Sequence, residues 1–338
     1  MMSQDAVKPE DTAMSQPATT PPDPRKLEPF PASPSATGAA DPSAAEATDA
    51  AELADAHRRH RWRFARRFLS HKGAVVAAAF LLLLAVLAVF GSHLTPHDPL
   101  DNNLSQVLQP PSAEHWLGTD DLGRDLLSRL IVATRVTVEA ALIALAVGVG
   151  IGVPLGLVAA IAHPLIGGLL MRITDGIMAF PPILLAIGVL GALGPGLTQA
   201  MIAVGVVFVP RFARLTRSSV MHVYHETYIE ASRVIGTPLG RMLRWHVLPN
   251  ITGPLVVQIA VTCGFAMLAE AGLSFLGLGA QPPDASWGAL LGRALPYVNT
   301  AWWLGIAPGL LITLTVLATN VVADGIGDSL GRGTRRQG

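Results

Sequence analysis

The sequence predicts an all-α, polytopic membrane protein with six membrane-spanning helices, and three observations carry that prediction. Hydrophobic residues make up 51% of the chain and charged residues only 14%, with a mean hydropathy of +0.45, where soluble domains carry roughly 25% charged residues. Apolar stretches near the roughly 20 residues that a bilayer needs recur at 74–90, 134–161, 172–194, 197–216, 251–272 and 300–323. Basic residues gather in the 57–72 flank, the 217–250 loop and the C-terminal end, whereas the 92–130 segment is acidic and 273–298 holds only one basic residue, Arg293, a bias of the kind that orients a membrane chain.

Taken in order, residues 1–56 are rich in Pro, Ala, Ser, Thr, Asp and Glu, lack a sustained apolar period, and read as a disordered tail that buries too little to offset ordering entropy. A basic flank begins at His57 and holds Arg58, Arg59, Arg61, Arg63, Arg66, Arg67 and Lys72. The first span follows it. Arg66-Arg67-Phe68-Leu69 hints at a twin-arginine signal, but it lies deep in the chain and no small-residue cleavage site follows the apolar run. The segment therefore reads as an uncleaved anchor.

From 92 to about 130 the chain turns acidic, with Asp98, Asp101, Glu114, Asp120, Asp121 and Asp125 against Arg124 and Arg129. A first unit of 57–130, anchor plus external loop, thus precedes a membrane domain at 131–330. Within that domain the polar loop at 217–250 and its surroundings hold Arg211, Arg214, Arg217, Arg233, Arg241 and Arg244. The positive-inside rule places this loop, the 57–72 flank and Arg332, Arg335 and Arg336 in the cytoplasm. Six spans put all three on one side, with both termini cytoplasmic and the 92–130 and 273–298 loops opposite.

Gly148, Gly150, Gly152, Pro154 and Gly156 in the second span, Pro181 and Pro182 in the third, and Pro308 and Gly309 in the sixth permit close helix packing and the bends of a translocation path. Pro181 and Pro182 are accordingly path or gate candidates, together with Glu270 near the outer end of the fifth span, because intramembrane carboxylates are functional candidates by default. Glu139 has a simpler partner in Arg135 at i, i+4, and Asp175 a local one in Arg172. Cys263 lies in an apolar run and reads as a packing residue. It is the one cysteine in the chain, so no intrachain disulfide forms.

The 217–250 loop is the most informative segment. Residues 225–235 contain good helix formers and end at Gly236, which suits a helix C-terminus. Thr237 and Pro238 then suit the start of a second short helix that runs to Val247 and stops at Leu248-Pro249. Ile229, Val234, Ile235, Leu239, Met242, Leu243 and Trp245 give this polar loop more apolar surface than a connector needs, which implies docking against a cytoplasmic protein. His222, His225 and Glu226 lie close enough for a metal reading, but no third ligand motif accompanies them and they read as solvated polar residues.

Glu230-Ala231-Ser232, then Gly236, then His246-Val247-Leu248-Pro249 resembles the EAA loop of ATP-binding-cassette importer permeases, E-A-A-x3-G-x9-I-x-L-P, with Ser232 and His246 departing from the consensus. Pro110-Pro111-Ser112 with the run from His115 to Asp125, and Leu273 to Gly279 with Pro282-Pro283 and Ser286-Trp287-Gly288, resemble the C-type permeases of dipeptide, oligopeptide and nickel importers. The resemblance spans about 58–331. It implies the type I importer permease fold, with Glu230, Ala231, Ser232, Gly236, His246, Leu248 and Pro249 as the ATPase-docking loop. It also implies a B-type companion permease, two cytoplasmic ATPase subunits that bind ATP and Mg, and a periplasmic solute-binding protein; the activity is import of peptides or a related small solute.

The chain itself needs no cofactor on this reading. Its lysines are Lys8, Lys26 and Lys72, none of which follows a glycine, so a P-loop cannot be built. A net charge of zero offers no field for nucleic acid. A proton-coupled secondary transporter would show paired repeats and midplane ionisable groups, and a membrane hydrolase a nucleophile or metal constellation; neither pattern is evident.

Overall fold

The structure, a computed structural model, describes residues 65–331. The expected tail at 1–56, the basic residues at 58–63 and the three C-terminal arginines lie outside this range. Residues 65–70 are helical and lead into α1 (Lys72–Leu94), after which the long 95–125 loop leads to α2 (Leu126–Ile161). Two shorter helices, α3 (Pro164–Met178) and α4 (Pro182–Leu193), precede α5 (Leu197–Tyr224). A short hairpin of α6 (Thr227–Val234) and α7 (Leu239–Met242) leads into α8 (Leu248–Phe275), followed by α9 (Trp287–Ala294) and α10 (Trp303–Gly331). Among the described residues, β pairing is limited to an isolated bridge between Thr119 and Asp125.

Five helices are long and apolar enough to cross a bilayer, whereas α3 and α4 pass that test only as a pair bent by 96°. The expected third span at 172–194 is therefore not one continuous helix. Pro181 caps α4 and Pro182 opens it; neither ring nitrogen carries a proton for an intrahelical bond, so α3 ends and a new axis begins. The pair nonetheless makes one net crossing. Gly148 abuts Gly205 and Phe208, Gly152 abuts Val209 and Phe212, and Gly156 abuts Ala213. The registers rise together, so α2 and α5 run parallel, and the chain between them must return across the molecule.

That parallel contact is the most extensive between any two helices described and is lined by glycines four residues apart. A Cβ on Gly152 would stand 2.7 Å from both the Phe212 Cβ and the Val209 carbonyl. Gly150, on the other face, has nothing within 4 Å. Absent side chains let the two backbones approach, which in a bilayer is the main source of helix association. Ala140, Ala144, Met201, Phe208, Phe212 and Ala266 continue this seam into a core shared by α2, α5 and α8.

The bundle has two distinct ends. At one, the 95–125 loop meets α9 and the start of α10: Arg293 donates to Asp121 at 2.9 Å, and Gly118 lies against the Trp303 indole. At the other, the helical hairpin meets the end of α2, while the 65–72 segment meets the end of α10, with Phe68 and Ala74 close to Gly325.

Two further expectations are corrected. Thr237 does not cap the second hairpin helix; Pro238 takes the N-cap position and Leu239 begins the helix. Nor does Leu248-Pro249 end it. A π-turn at Leu243–Val247 joins α7 to α8, giving one apolar helical stretch, Leu239–Phe275. The wider turn admits Pro249 within the first turn of α8, where its missing N–H breaks no bond. Asp175 pairs with Arg214 rather than Arg172, since α3 packs across α5 and brings that guanidinium to it, whereas Arg135 and Glu139 do pair, at 2.7 Å.

Candidate functional site

The hairpin between α5 and α8 is built on a small core of its own. Ile229 is fully buried and packs with Val220, Val223, Met242, Val247 and Ile251. Gly236 adopts φ +79°, a left-handed turn that glycine adopts without strain, and the Gly236 and Thr237 amides donate to Arg233 and Ser232 carbonyls. The expected apolar set thus divides in two. Ile229 and Met242 face inward as the anchor, while Val234 (88% exposed), Ile235 (82%), Trp245 (68%) and Leu239 face out as an unpartnered ridge.

Glu230, Ala231, Gly236 and Pro249 are also exposed, and Ser232, His246 and Leu248 are half-buried. His246 stacks obliquely on Tyr228, ring centroids 6.3 Å apart, and Asn250 ties the two by donating to the Tyr228 hydroxyl and the His246 carbonyl. Burial, and then the Glu226 charge, push the Tyr228 phenol up from its ordinary pKa. Arg233 lies over the Tyr224 ring at 3.6 Å, which pins the C-terminal half of α6. His222 stands 4.0 Å from Glu226 on the exposed face.

A cavity of about 490 Å³ opens between α4, α5 and α8, lined by Pro182, Val204, Phe208, Phe265 and Leu268 among others. Arg211 is its charged lining residue, held over the Phe265 ring at 5.4 Å. It sits near the middle of α5, about 20 Å from either end at 1.5 Å per residue. In the sequence Arg211 groups with the basic loop; the signal that sets it apart is the Val206-Val207-Phe208-Val209 run before it and Phe212-Ala213 after it, which place it on the basic edge of the apolar stretch.

The structure brings Pro182 to this cavity but not Glu270. Glu270 is fully buried on α8 and accepts from the Ser274 hydroxyl at 2.6 Å; the same hydroxyl accepts from the Ala280 amide. Gly277, at φ +77°, closes the helix end, with the Leu278 amide donating to Leu273. Glu270 therefore brackets the turn that carries the chain from α8 toward α9.

The loop before α2 is equally well determined. Asp120 accepts from the amides of Leu122 and Arg124 and pairs with the Arg124 guanidinium at 2.7 Å. Gly123, at φ +74°, lies against the Asn103 carbonyl, where no side chain fits. Asp125 caps α2 by accepting from Ser128. Burial pushes its carboxyl up, but the Ser128 hydroxyl and amide, His115 and His97 outweigh that and hold it below the usual range.

Residues 152–336 match the family described as binding-protein-dependent transport system inner membrane component. The chain belongs to this family. Residues 61–111 of the permease also match the N-terminal TM domain of oligopeptide transport permease C. It is 41% identical to the di/tripeptide transport system permease protein DppC of Pseudomonas aeruginosa (strain UCBPP-PA14), over 79% of this chain and 90% of the relative. The glutathione transport system permease protein GsiD of Pectobacterium atrosepticum is 40% identical, over 80% and 90%. Among solved structures, the inward-facing MetNI methionine ABC transporter in its native crystal form covers 60% of the permease and 97% of that chain, at 20% identity and a TM-score of 0.50. The protein is thus a transport permease of the inner membrane with the ABC importer fold, and not a catalytic enzyme.

Proposed function

We propose that this permease forms half of the membrane path of a peptide importer and is driven by separate ATPase subunits through its α6–α7 hairpin. The observation that carries the reading is the exposed ridge of Val234, Ile235, Leu239 and Trp245 standing on a buried Ile229 anchor. An apolar surface so placed, at one end of a membrane bundle and beside Glu230 and Gly236, suits a cleft on a soluble partner. The peptide names of the relatives support the substrate class.

Two continuous helices connect this hairpin to the cavity. α5 runs into it from Arg211 to Tyr224, and the stretch Leu239–Phe275 leaves it toward Phe265. Closure of the ATPase pair would swing both helices and reshape the cavity, which is alternating access by population shift. ATP and Mg bind to those subunits, and this chain supplies neither lysine nor glycine loop for them. A companion permease completes the path, a solute-binding protein delivers the substrate to the 95–125 end, and Glu270 holds the outer turn of the gate. The hairpin end faces the cytoplasm, because the arginines gather there.

The test is gentle extraction from native membranes followed by identification of co-purifying chains. Recovery of a second permease and P-loop ATPases is expected, with the ATPases lost from Glu230→Lys or Gly236→Pro. Isolation of an active chain alone, or uptake that follows the proton gradient rather than ATP, would overturn the reading.

A further inference from the structure

At the loop end, away from hairpin and cavity, three side chains converge: His97 from the turn after α1, His115 from the middle of the loop, and Asp125 at the start of α2. One ligand atom from each lies within 4.8 Å of the others. His115 Nδ1 stands 3.0 Å and His97 Nδ1 3.8 Å from the same Asp125 oxygen, Oδ1. Those separations bracket the roughly 3.4 Å that a tetrahedral ion with bonds of about 2.1 Å imposes on its ligands.

The hydrogen bonds around the trio leave these atoms facing one another. The Gln106 side-chain oxygen stands 3.1 Å from His115 Nε2, so that nitrogen donates and Nδ1 is turned toward a carboxylate oxygen. His97 Nδ1 is buried and makes no hydrogen bond. Asp125 Oδ2 is occupied by the Ser128 amide at 2.8 Å and hydroxyl at 2.7 Å, which leaves Oδ1 for the histidines. The Ser128 hydroxyl in turn accepts from the His97 amide at 3.1 Å, fixing the backbone from which that ring projects. Outer partners of this kind, an N–H to an amide oxygen and a hydrogen-bonded second carboxylate oxygen, are what hold metal ligands in place.

We propose that His97, His115 and Asp125 bind a zinc-class divalent cation through Nδ1, Nδ1 and Oδ1, with a water as fourth ligand. Two imidazoles and one carboxylate suit a borderline transition ion, whereas calcium and magnesium call for oxygen ligands. His115 and Asp125 are buried and His97 is half-exposed, so the water position lies on the His97 side. The ion staples the end of α1 to the start of α2 across the intervening loop, independently of the docking hairpin.

The full-length chain, chelator-treated in detergent and equilibrated with Zn²⁺, should retain one ion after dialysis, raise its melting temperature on binding, and give the visible absorption of a tetrahedral site with Co²⁺. His97→Ala is the diagnostic variant, since it removes one ligand while the His115–Asp125 hydrogen bond and the Asp125 cap on Ser128 stay in place, and its zinc-dependent rise in melting temperature is read against its own apo value. It should bind Zn²⁺ at least about 10-fold more weakly, while His222→Ala leaves binding unchanged. Failure of the wild type to retain zinc would leave a proton-bridged His115–Asp125 pair and overturn the site. Equal retention by His97→Ala would place the ion elsewhere and overturn it too.

Discussion

The indole N–H of Trp287 donates across 3.2 Å to the carbonyl of Leu130, joining α9 to α2 across a sequence separation of 157. The Trp287 amide also donates to the Thr137 hydroxyl at 3.3 Å, and the ring is fully buried among Leu126, Leu130, Ala133 and Leu304. Ser286 caps α9 by accepting from the Ala289 amide, and Gly288 lets the helix lie directly on Ala271. Ser-Trp-Gly is thus a cap, an anchor and a close approach in consecutive positions.

Trp287→Ala should destabilise the permease by about 3–5 kcal/mol, the range for emptying a large buried aromatic site. Trp287→Phe should do less harm, because most of the volume remains and the Leu130 carbonyl keeps the Thr134 hydroxyl as a partner. Thermal unfolding in detergent measures both, with the exposed Trp302→Ala as control. Equal melting of Trp287→Ala and Trp302→Ala would remove Trp287 from the set of anchors.

Along the α2–α5 seam, Gly152→Leu meets the Phe212 Cβ and the Val209 carbonyl, and backbone cannot yield as a side chain does. The loss should equal or exceed the roughly 1–3 kcal/mol of ordinary overpacking. Gly150→Leu enters open space and should be tolerated. Comparing the folded yields of the two variants from membranes checks the parallel packing directly; similar yields would contradict it.

The two halves of the hairpin's apolar set should separate in experiment. Ile229→Ala removes the anchor and should cost about 2–5 kcal/mol locally, exposing the hairpin to limited proteolysis. A Val234→Asp and Trp245→Asp double variant alters only the exposed ridge, so its protease pattern and melting should match the wild type while ATPase co-purification is lost. Retained ATPase in the double variant would move the docking surface elsewhere.

Much of this was legible in the sequence because bilayer length and charge bias act on composition. Six crossings, the Gly236 turn and the Arg135–Glu139 pair all follow from such local rules. What escaped depended on which helices meet. Asp175 finds Arg214 rather than Arg172 because α3 lies across α5, and residue spacing within one helix carries no trace of that crossing. The 96° bend was signalled by Pro181-Pro182, but its size is set by packing on α5. Leu248-Pro249 read as a stop because a π-turn, which lets a helix run on into a proline, leaves no mark in the sequence. His97, His115 and Asp125 were scattered over a loop whose fold rests on Gly118, Gly123 and Asp120, so their convergence was invisible before that fold was known.

Arg211 supplies the sharpest test of the path. An arginine within a span is expensive in a bilayer and persists where it faces a cavity or a partner; this one lies toward the basic end of the 197–216 apolar stretch, lines the α4–α5–α8 cavity and rests on Phe265. A peptide crossing such a cavity presents a carboxylate at its C-terminus, for which a guanidinium is the matching group. With the whole importer in proteoliposomes, Arg211→Met should reduce uptake of a free-acid peptide by about 10-fold or more, the loss of one charge-assisted hydrogen bond of about 1.5–3 kcal/mol. Uptake of the same peptide with an amidated C-terminus should change little, and subunit assembly should be intact. A parallel fall for both peptides would make Arg211 a structural element of the bundle, whereas a selective fall for the free acid places the substrate's carboxylate at the middle of α5.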